Sequence, residues 1–191
     1  DGGSKIDSIT QDYNTAISAP AVPVKKGYTF IGWDKDIPDR MPAENILLTA
    51  KWSKDVYKIA YKLNGGEADN PGTYEVDSSV ITLKTPVRKG YTFTGWSGTG
   101  IDGTSKEVVI TTGSTGDRTY TANWKENSYT VQFIPYGDGT TGSMDEMSLM
   151  YTTEAAIGDN KFVRPGYTFA GWSVEAGGEK KYEPGAVISR L

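Results

Sequence analysis

Cysteine and histidine are both absent from the 191 residues. The first absence excludes a disulfide framework, a thiolate nucleophile and a zinc-finger spacing. The second removes the commonest general base and the commonest side-chain ligand for transition metals. Catalysis would fall to carboxylates, hydroxyls, lysine and tyrosine. No run of 18 apolar residues occurs and no charged segment leads into an apolar one, so nothing here reads as a membrane span or leader, and any export signal is expected to lie outside these residues. Charge of one sign is scarce too. Against 20 Lys and Arg stand 24 Asp and Glu, and the net charge of -4 offers no electrostatic footprint for nucleic acid or an anionic membrane. Helical periodicity is equally poor. No window longer than ten residues carries a clean 3.6-residue apolar stripe, so any helix is expected to be short.

What the chain does have is aromatic residues (12%), 23 glycines and much threonine and tyrosine, a composition of short strands joined by tight turns. Nine residues recur nearly unchanged: "KKGYTFIGW" ending at Trp33, "RKGYTFTGW" ending at Trp96 and "RPGYTFAGW" ending at Trp172. Their glycines, Gly27, Gly90 and Gly166, lie 63 and 76 residues apart, the spacing of a small domain and not of a solenoid turn. After the first two motifs come "LLTAKW" to Trp52 and "TYTANW" to Trp124, in which Leu48, Ala50 and Trp52, or Tyr120, Ala122 and Trp124, alternate with polar residues. That is a half-buried strand. Before the second and third motifs come "YKIAYKLNGG" from Tyr57 and "YTVQFIPYGDG" from Tyr129. Each alternates likewise and then meets a Gly-rich turn suited to a hairpin, with return strands expected near Thr73 to Val76 and Met147 to Tyr151.

The order predicts three mainly β modules, with small mixed α+β modules as the close variant and any helix in the segment ahead of the motif. Their bounds are 1–52, 53–124 and 125–191. The first is expected to lack its opening strand and the third its closing strand, as in an excerpt from a longer array. Edges left in this way expose unpaired backbone groups, so exchange of strands with another chain is expected at the incomplete modules. The links Ser53–Val56 and Lys125–Ser128 are only four residues long and limit swivelling. A module of about 70 residues has a radius of gyration near 11 Å, so three in line would reach on the order of 80 Å.

The motif reads first as a folding instruction. Tyr28 and Phe30, Tyr91 and Phe93, and Tyr167 and Phe169 share a strand face in each copy. Trp33, Trp96 and Trp172 fall on the opposite face unless Gly32, Gly95 and Gly171 break the alternation with a bulge. A module this small buries only roughly 60% of its unfolded surface and has no disulfide to help it. Aromatic side chains burying about 150–250 Å² each are the densest substitute, and all five tryptophans lie in the two repeated elements. The rival reading makes Trp33, Trp96 and Trp172 platforms for sugar rings, multiplied for avidity. Against it, the residues after the motif are "DKD", "SGT" and "SVE" and agree in nothing.

Other chemistry is weaker. Glu67 with Asp69, and Asp145 with Glu146, are close carboxylates of the kind that run glycoside hydrolysis, but no carboxylate keeps its place in all copies. "GDG" at Gly137 and "DGG" at Asp1 do not extend into a calcium-ligand ladder. A lysine beside Asn or Asp and a carboxylate could form an isopeptide bond, a geometry that sequence leaves open. No enzyme, cofactor or metal is expected.

Taken together, "NGG" after an alternating strand, "PVRKGYTFTGW", "STGDRTYTANW" and "RPGYTFAGW" resemble the Listeria-Bacteroides repeat, also called the internalin B-repeat, over essentially the whole chain. The resemblance implies small β-grasp-like modules in tandem on extracellular, cell-surface or secreted bacterial proteins, acting as stalks or adhesion modules without enzymatic activity. Neighbouring repeats and a host or matrix protein are the expected partners of such a stalk; the alternative is a glycan- or host-protein-binding array that uses loops such as Gly98 to Ser105 or exposed aromatics. The loops differ between copies, which weakens an avidity model.

Overall fold

The computed structural model describes residues 2–190, which form twelve short strands and no helix. The chain is mainly β, as its periodicity requires. Among these residues no helix stands ahead of the motif, the place expected for any short helix, so the α+β variant is not realised. That segment instead holds prolines that cannot donate to a helix ladder, Pro23 and the deeply buried Pro86, and in the second copy it contributes a strand. Two compact units are distinguished: Asp1–Asn64, Ala68–Thr85 and Gly95–Ala122 make one, and Gly65–Glu67, Pro86–Thr94 and Asn123–Leu191 the other.

The first motif forms strand β1 (Tyr28–Trp33), paired antiparallel with β2 (Ala50–Lys54). A four-stranded sheet follows, built from β3 (Tyr57–Lys62), β4 (Thr73–Tyr74), β6 (Tyr91–Gly98) and β8 (Arg118–Glu126) in the order β4-β3-β8-β6. β3 runs antiparallel to β4 and parallel to β8, with Ile59 opposite Arg118 and Tyr61 opposite Tyr120. β5 (Ile81–Thr82) pairs with β7 (Val109–Ile110). In the second unit β9 (Ser128–Val131) pairs with β10 (Met147–Met150), and β11 (Glu154–Ala156) with β12 (Val187–Ser189).

The alternation read from the sequence becomes burial. Tyr57, Ile59 and Tyr61 turn inward while Lys58, Ala60 and Lys62 face water. Tyr120 and Ala122 are buried, and Tyr120 stacks on Tyr61 with centroids 6.3 Å apart. Trp96 is fully buried and packs 6.1 Å from Tyr61. The second unit has its own core of Leu149, Ile157 and Ile188, against which Phe133, Trp172 and Tyr182 pack.

The turn Asn64-Gly65 has the left-handed φ values of a hairpin, +50° and +82°. It leads Glu67 into a two-way backbone pairing with Val87, and the chain then returns antiparallel onto β3 as β4, within the stretch expected for the return strand. A Cβ on Gly66 would overlap the Trp124 indole, so this turn also seats the closing strand's tryptophan.

Candidate functional site

The motif begins with a turn. In Lys25–Tyr28, Arg88–Tyr91 and Arg164–Tyr167 the tyrosine N-H donates to the carbonyl of the first residue, at 3.1, 3.2 and 3.1 Å. The third residue, Gly27, Gly90 or Gly166, has a φ of +78°, +78° or +79°. Those values define a type II turn, which demands glycine at its third place and favours proline at its second, where Pro165 stands. The leading cation lies over the tyrosine ring in each copy: Lys25 over Tyr28 at 4.2 Å, Arg88 over Tyr91 at 3.6 Å and Arg164 over Tyr167 at 3.8 Å.

What covers that glycine comes from the next copy. Gly27 is buried, and a Cβ there would lie 2.6 Å from the Val76 Cβ. Gly90 is buried beneath the ring of Tyr151, which also meets Tyr91 edge-on with centroids 6.0 Å apart. Val76 and Tyr151 are equivalent residues. Each is the second residue of a turn that follows the strand returning onto Tyr57 or Tyr129, closed by Ser78 N-H to Glu75 carbonyl at 3.1 Å or Thr153 N-H to Met150 carbonyl at 3.0 Å. A turn residue thus fits, as a plug, over a glycine that offers no side chain.

The linker clasps this contact. Asp55 N-H donates to the Gly27 carbonyl at 3.1 Å, and Asn127 N-H to the Gly90 carbonyl at 2.9 Å. Thr29 Oγ1 donates to Asp55 Oδ1, and Thr92 Oγ1 to Asn127 Oδ1, both at 2.6 Å. The same atoms reach the next strand: the Tyr57 hydroxyl donates to Asp55 Oδ2 at 3.3 Å, and Asn127 Nδ2 to the Tyr129 hydroxyl at 3.4 Å. Carboxylate and amide fill one role, so it is the carbonyl-type oxygen and not the charge that the joint uses. Each compact unit contains one of the two joints whole.

The joints differ in their outer contact. Lys54 Nζ lies 2.6 Å from Asp77 Oδ2 and 3.5 Å from Glu75 Oε2, which raises the lysine pKa and lowers that of Asp77, the hydrogen bond between them being the main cause. At the equivalent place in the second joint, Glu126 accepts from both the hydroxyl and the N-H of Thr152, and these hydrogen bonds lower its pKa. Lys54, Asp77 and Glu75 have the composition of an isopeptide site, but they are solvent-exposed and the lysine is held charged, so its nitrogen has no free pair to attack with.

The second repeated glycine keeps a positive φ in every copy, and in the first copy it makes a bulge. Gly32, Gly95 and Gly171 have φ of +123°, +144° and +141°, and the β1–β2 register shifts between Phe30 and Gly32. The shift brings Phe30 and Trp33 together at 5.3 Å, with Phe30 also 5.6 Å from Trp52. Phe93 meets Trp124 at 5.5 Å, and Phe169 meets Trp172 at 4.8 Å. Trp33, Trp52, Trp124 and Trp172 are half-buried and Trp96 is wholly so; none is laid open as a flat platform.

The remaining candidates are not gathered. Among the described residues no group of three or more acidic side chains is placed to hold a metal ion. Asp69 pairs with Lys84 at 3.0 Å on an exposed surface, and Glu146 accepts from Gln132 at 3.2 Å. The joint itself escaped the sequence reading. Its one visible signal was "RPGY", a Pro-Gly pair at the centre of a turn.

Three consecutive segments of the chain, residues 1–51, 57–123 and 129–190, match the Listeria-Bacteroides repeat domain. The chain belongs to that family, in three tandem copies. It is similar to a protein of Evansella cellulosilytica described as a membrane protein, 29% identical over 96% of this chain and 29% of that protein. A second protein of that organism, described as a Gly-rich membrane protein, is 28% identical over 90% of this chain and 20% of its own length. Internalin H of Listeria monocytogenes is 30% identical over 78% of this chain and 28% of its own. The chain thus spans under a third of each of these relatives. No solved structure gives a significant match.

Proposed function

We propose that these residues belong to a non-enzymatic repeat array on the bacterial cell surface, where the array serves as a semi-rigid spacer that holds an adhesive region away from the wall. The observation that carries this reading is the joint, built twice from the same atoms: a turn residue over a motif glycine, and a linker Asp or Asn tied to both neighbours. A freely jointed string needs neither. The family, the likeness to an internalin and the relatives described as membrane proteins support surface placement. The sheet order β4-β3-β8-β6 with a parallel central pair supports reading the second copy as a β-grasp without its helix.

The absence of cysteine makes the test clean, since introduced thiols label without background. Spin labels on Asp36→Cys and Lys62→Cys, both exposed and on either side of the first joint, should give one narrow distance distribution. A broad distribution spanning tens of ångströms would mean that the repeats swivel and that no spacer is built here.

A further inference from the structure

The second copy is entered through β3 and left through β8, and these two strands lie side by side and parallel. Ile59, Ala60, Tyr61 and Lys62 stand in register with Arg118, Thr119, Tyr120 and Thr121. Only Asp55 and Val56 separate β2 from β3, and only Asn127 separates β8 from β9. Tension passed along the chain therefore falls on this pair with almost no slack.

Direction makes the arrangement mechanical. A pull from the two linkers draws β3 back toward its start and β8 onward toward its end. Because the strands run the same way, the pull acts along their length and loads the rungs between them together, in shear. Strands pulled apart from a common end would open rung by rung, each bond meeting the load alone. A backbone hydrogen bond contributes only about 0.5–1.5 kcal/mol net, so resistance depends on how many must fail at once.

Side chains lengthen the ladder at both ends. Ahead of Ile59, the Lys58 N-H donates to Asp117 Oδ1 at 2.8 Å. Beyond Lys62, Asn64 Nδ2 donates to the Ala122 carbonyl at 2.9 Å. The two strands are also interlocked by their rings, Tyr61 stacking on the buried Tyr120. From β4, Tyr74, in register with Tyr57, donates to the Gly116 carbonyl and accepts from Arg118 Nε at 3.0 Å, which ties the start of β8 to the strand that flanks β3.

We propose that the second copy is a tension clamp: it carries load between its two linkers through the sheared β3–β8 ladder, which Asp117 and Asn64 extend, and so stays folded while the chain is pulled. The inference rests on the spacer reading only for the source of the load. An array that swivels would fail the distance measurement above and still pass the one below.

The test is single-molecule stretching of the full chain between two introduced thiols, which are unique because the sequence has no cysteine. Handles at Val56→Cys and Lys125→Cys, both exposed, pull the ladder in shear; handles at Lys62→Cys and Lys125→Cys pull both strands from the same end. Unfolding should release on the order of 200 Å of chain in either geometry. Four registered pairs share the load in the first and the end pair meets it alone in the second, so the unfolding force should be roughly two- to fourfold higher in shear at one pulling speed. Asp117→Ala, which acts at the end of the ladder remote from Lys62, should lower the shear force and leave the other unchanged. Asp117→Asn keeps the accepting oxygen and should match the parent in both. Equal forces in the two geometries, a lower force in shear, or an Asp117→Ala variant that lowers both forces alike or neither would overturn the proposal.

Discussion

The second and third motifs share all but one residue of GYTFxGW, yet one is closed and the other open. Around Gly90 the tyrosine turn is capped by Tyr151, β6 lies beside β8, and Trp96 has no exposed surface. Around Gly166 the turn is identical, but the stretch Tyr167–Ala170 carries no strand, and Trp172 is held by Phe133, Phe162 and Phe169 and a single bridge to Tyr182. Identical local sequence thus yields an identical local turn and a different environment. The motif encodes the turn, while residues distant in the sequence, such as Tyr151 over Gly90, decide how deeply the aromatics are buried.

Substitutions that remove a side chain measure that depth most strongly. Trp96→Ala should cost about 3–5 kcal/mol in denaturant unfolding, the usual penalty for emptying a core aromatic site. Trp172→Ala should cost clearly less, because its ring is only half-buried. Equal losses would show that the third copy is as closed as the second.

Next come the glycines. Gly90→Val meets both the positive φ and the Tyr151 ring and should destabilise by about 2–4 kcal/mol. Gly166→Val meets the backbone strain alone, about 1–2 kcal/mol. The comparison would break if the two variants melted alike.

Smaller effects belong to the clasp. Asn127→Ala should cost about 1 kcal/mol through the loss of the Thr92 hydrogen bond, whereas Asn127→Asp should be nearly neutral, since Asp55 already performs that task in the first joint. A large loss on Asn127→Asp would show that the joint is sensitive to charge.

The smallest expected effect separates the two joints by pH. Asp77 and Glu126 have lowered pKa values, so each contributes at neutral pH and loses its contribution as pH falls through its folded value. Lys54 has a raised pKa, so the first joint also loosens as pH rises through the alkaline range, while the second, with no lysine at that place, does not. Amide shifts of Asp77 and Thr152 followed from acid to alkali should show two transitions for the first and one for the second. Salt should weaken only the ion-paired joint.

Much of the fold was legible because burial imposes a period of two. Tyr57, Ile59 and Tyr61, and Tyr120 and Ala122, face inward as their alternation dictates, and Gly32 makes the bulge expected in the first motif. The joint was not legible, because its halves lie in different copies. The plug residue is Val76 in one joint and Tyr151 in the other, so it belongs to no repeated motif, and Asp55 and Asn127 read as ordinary polar links. The pairing of Glu67 with Val87 was hidden for a related reason: the left-handed turn at Asn64-Gly65 is local, whereas this pairing joins residues 20 apart.

Amide hydrogen exchange at the linkers tests the central claim most directly. If the joints hold neighbouring repeats together, the N-H groups of Asp55 and Asn127, which donate to Gly27 and Gly90, should exchange far more slowly than those of an unstructured peptide, and Gly90→Val should release Asn127 while leaving Asp55 protected. Exchange of both amides at the unstructured rate in the wild-type chain would contradict the account.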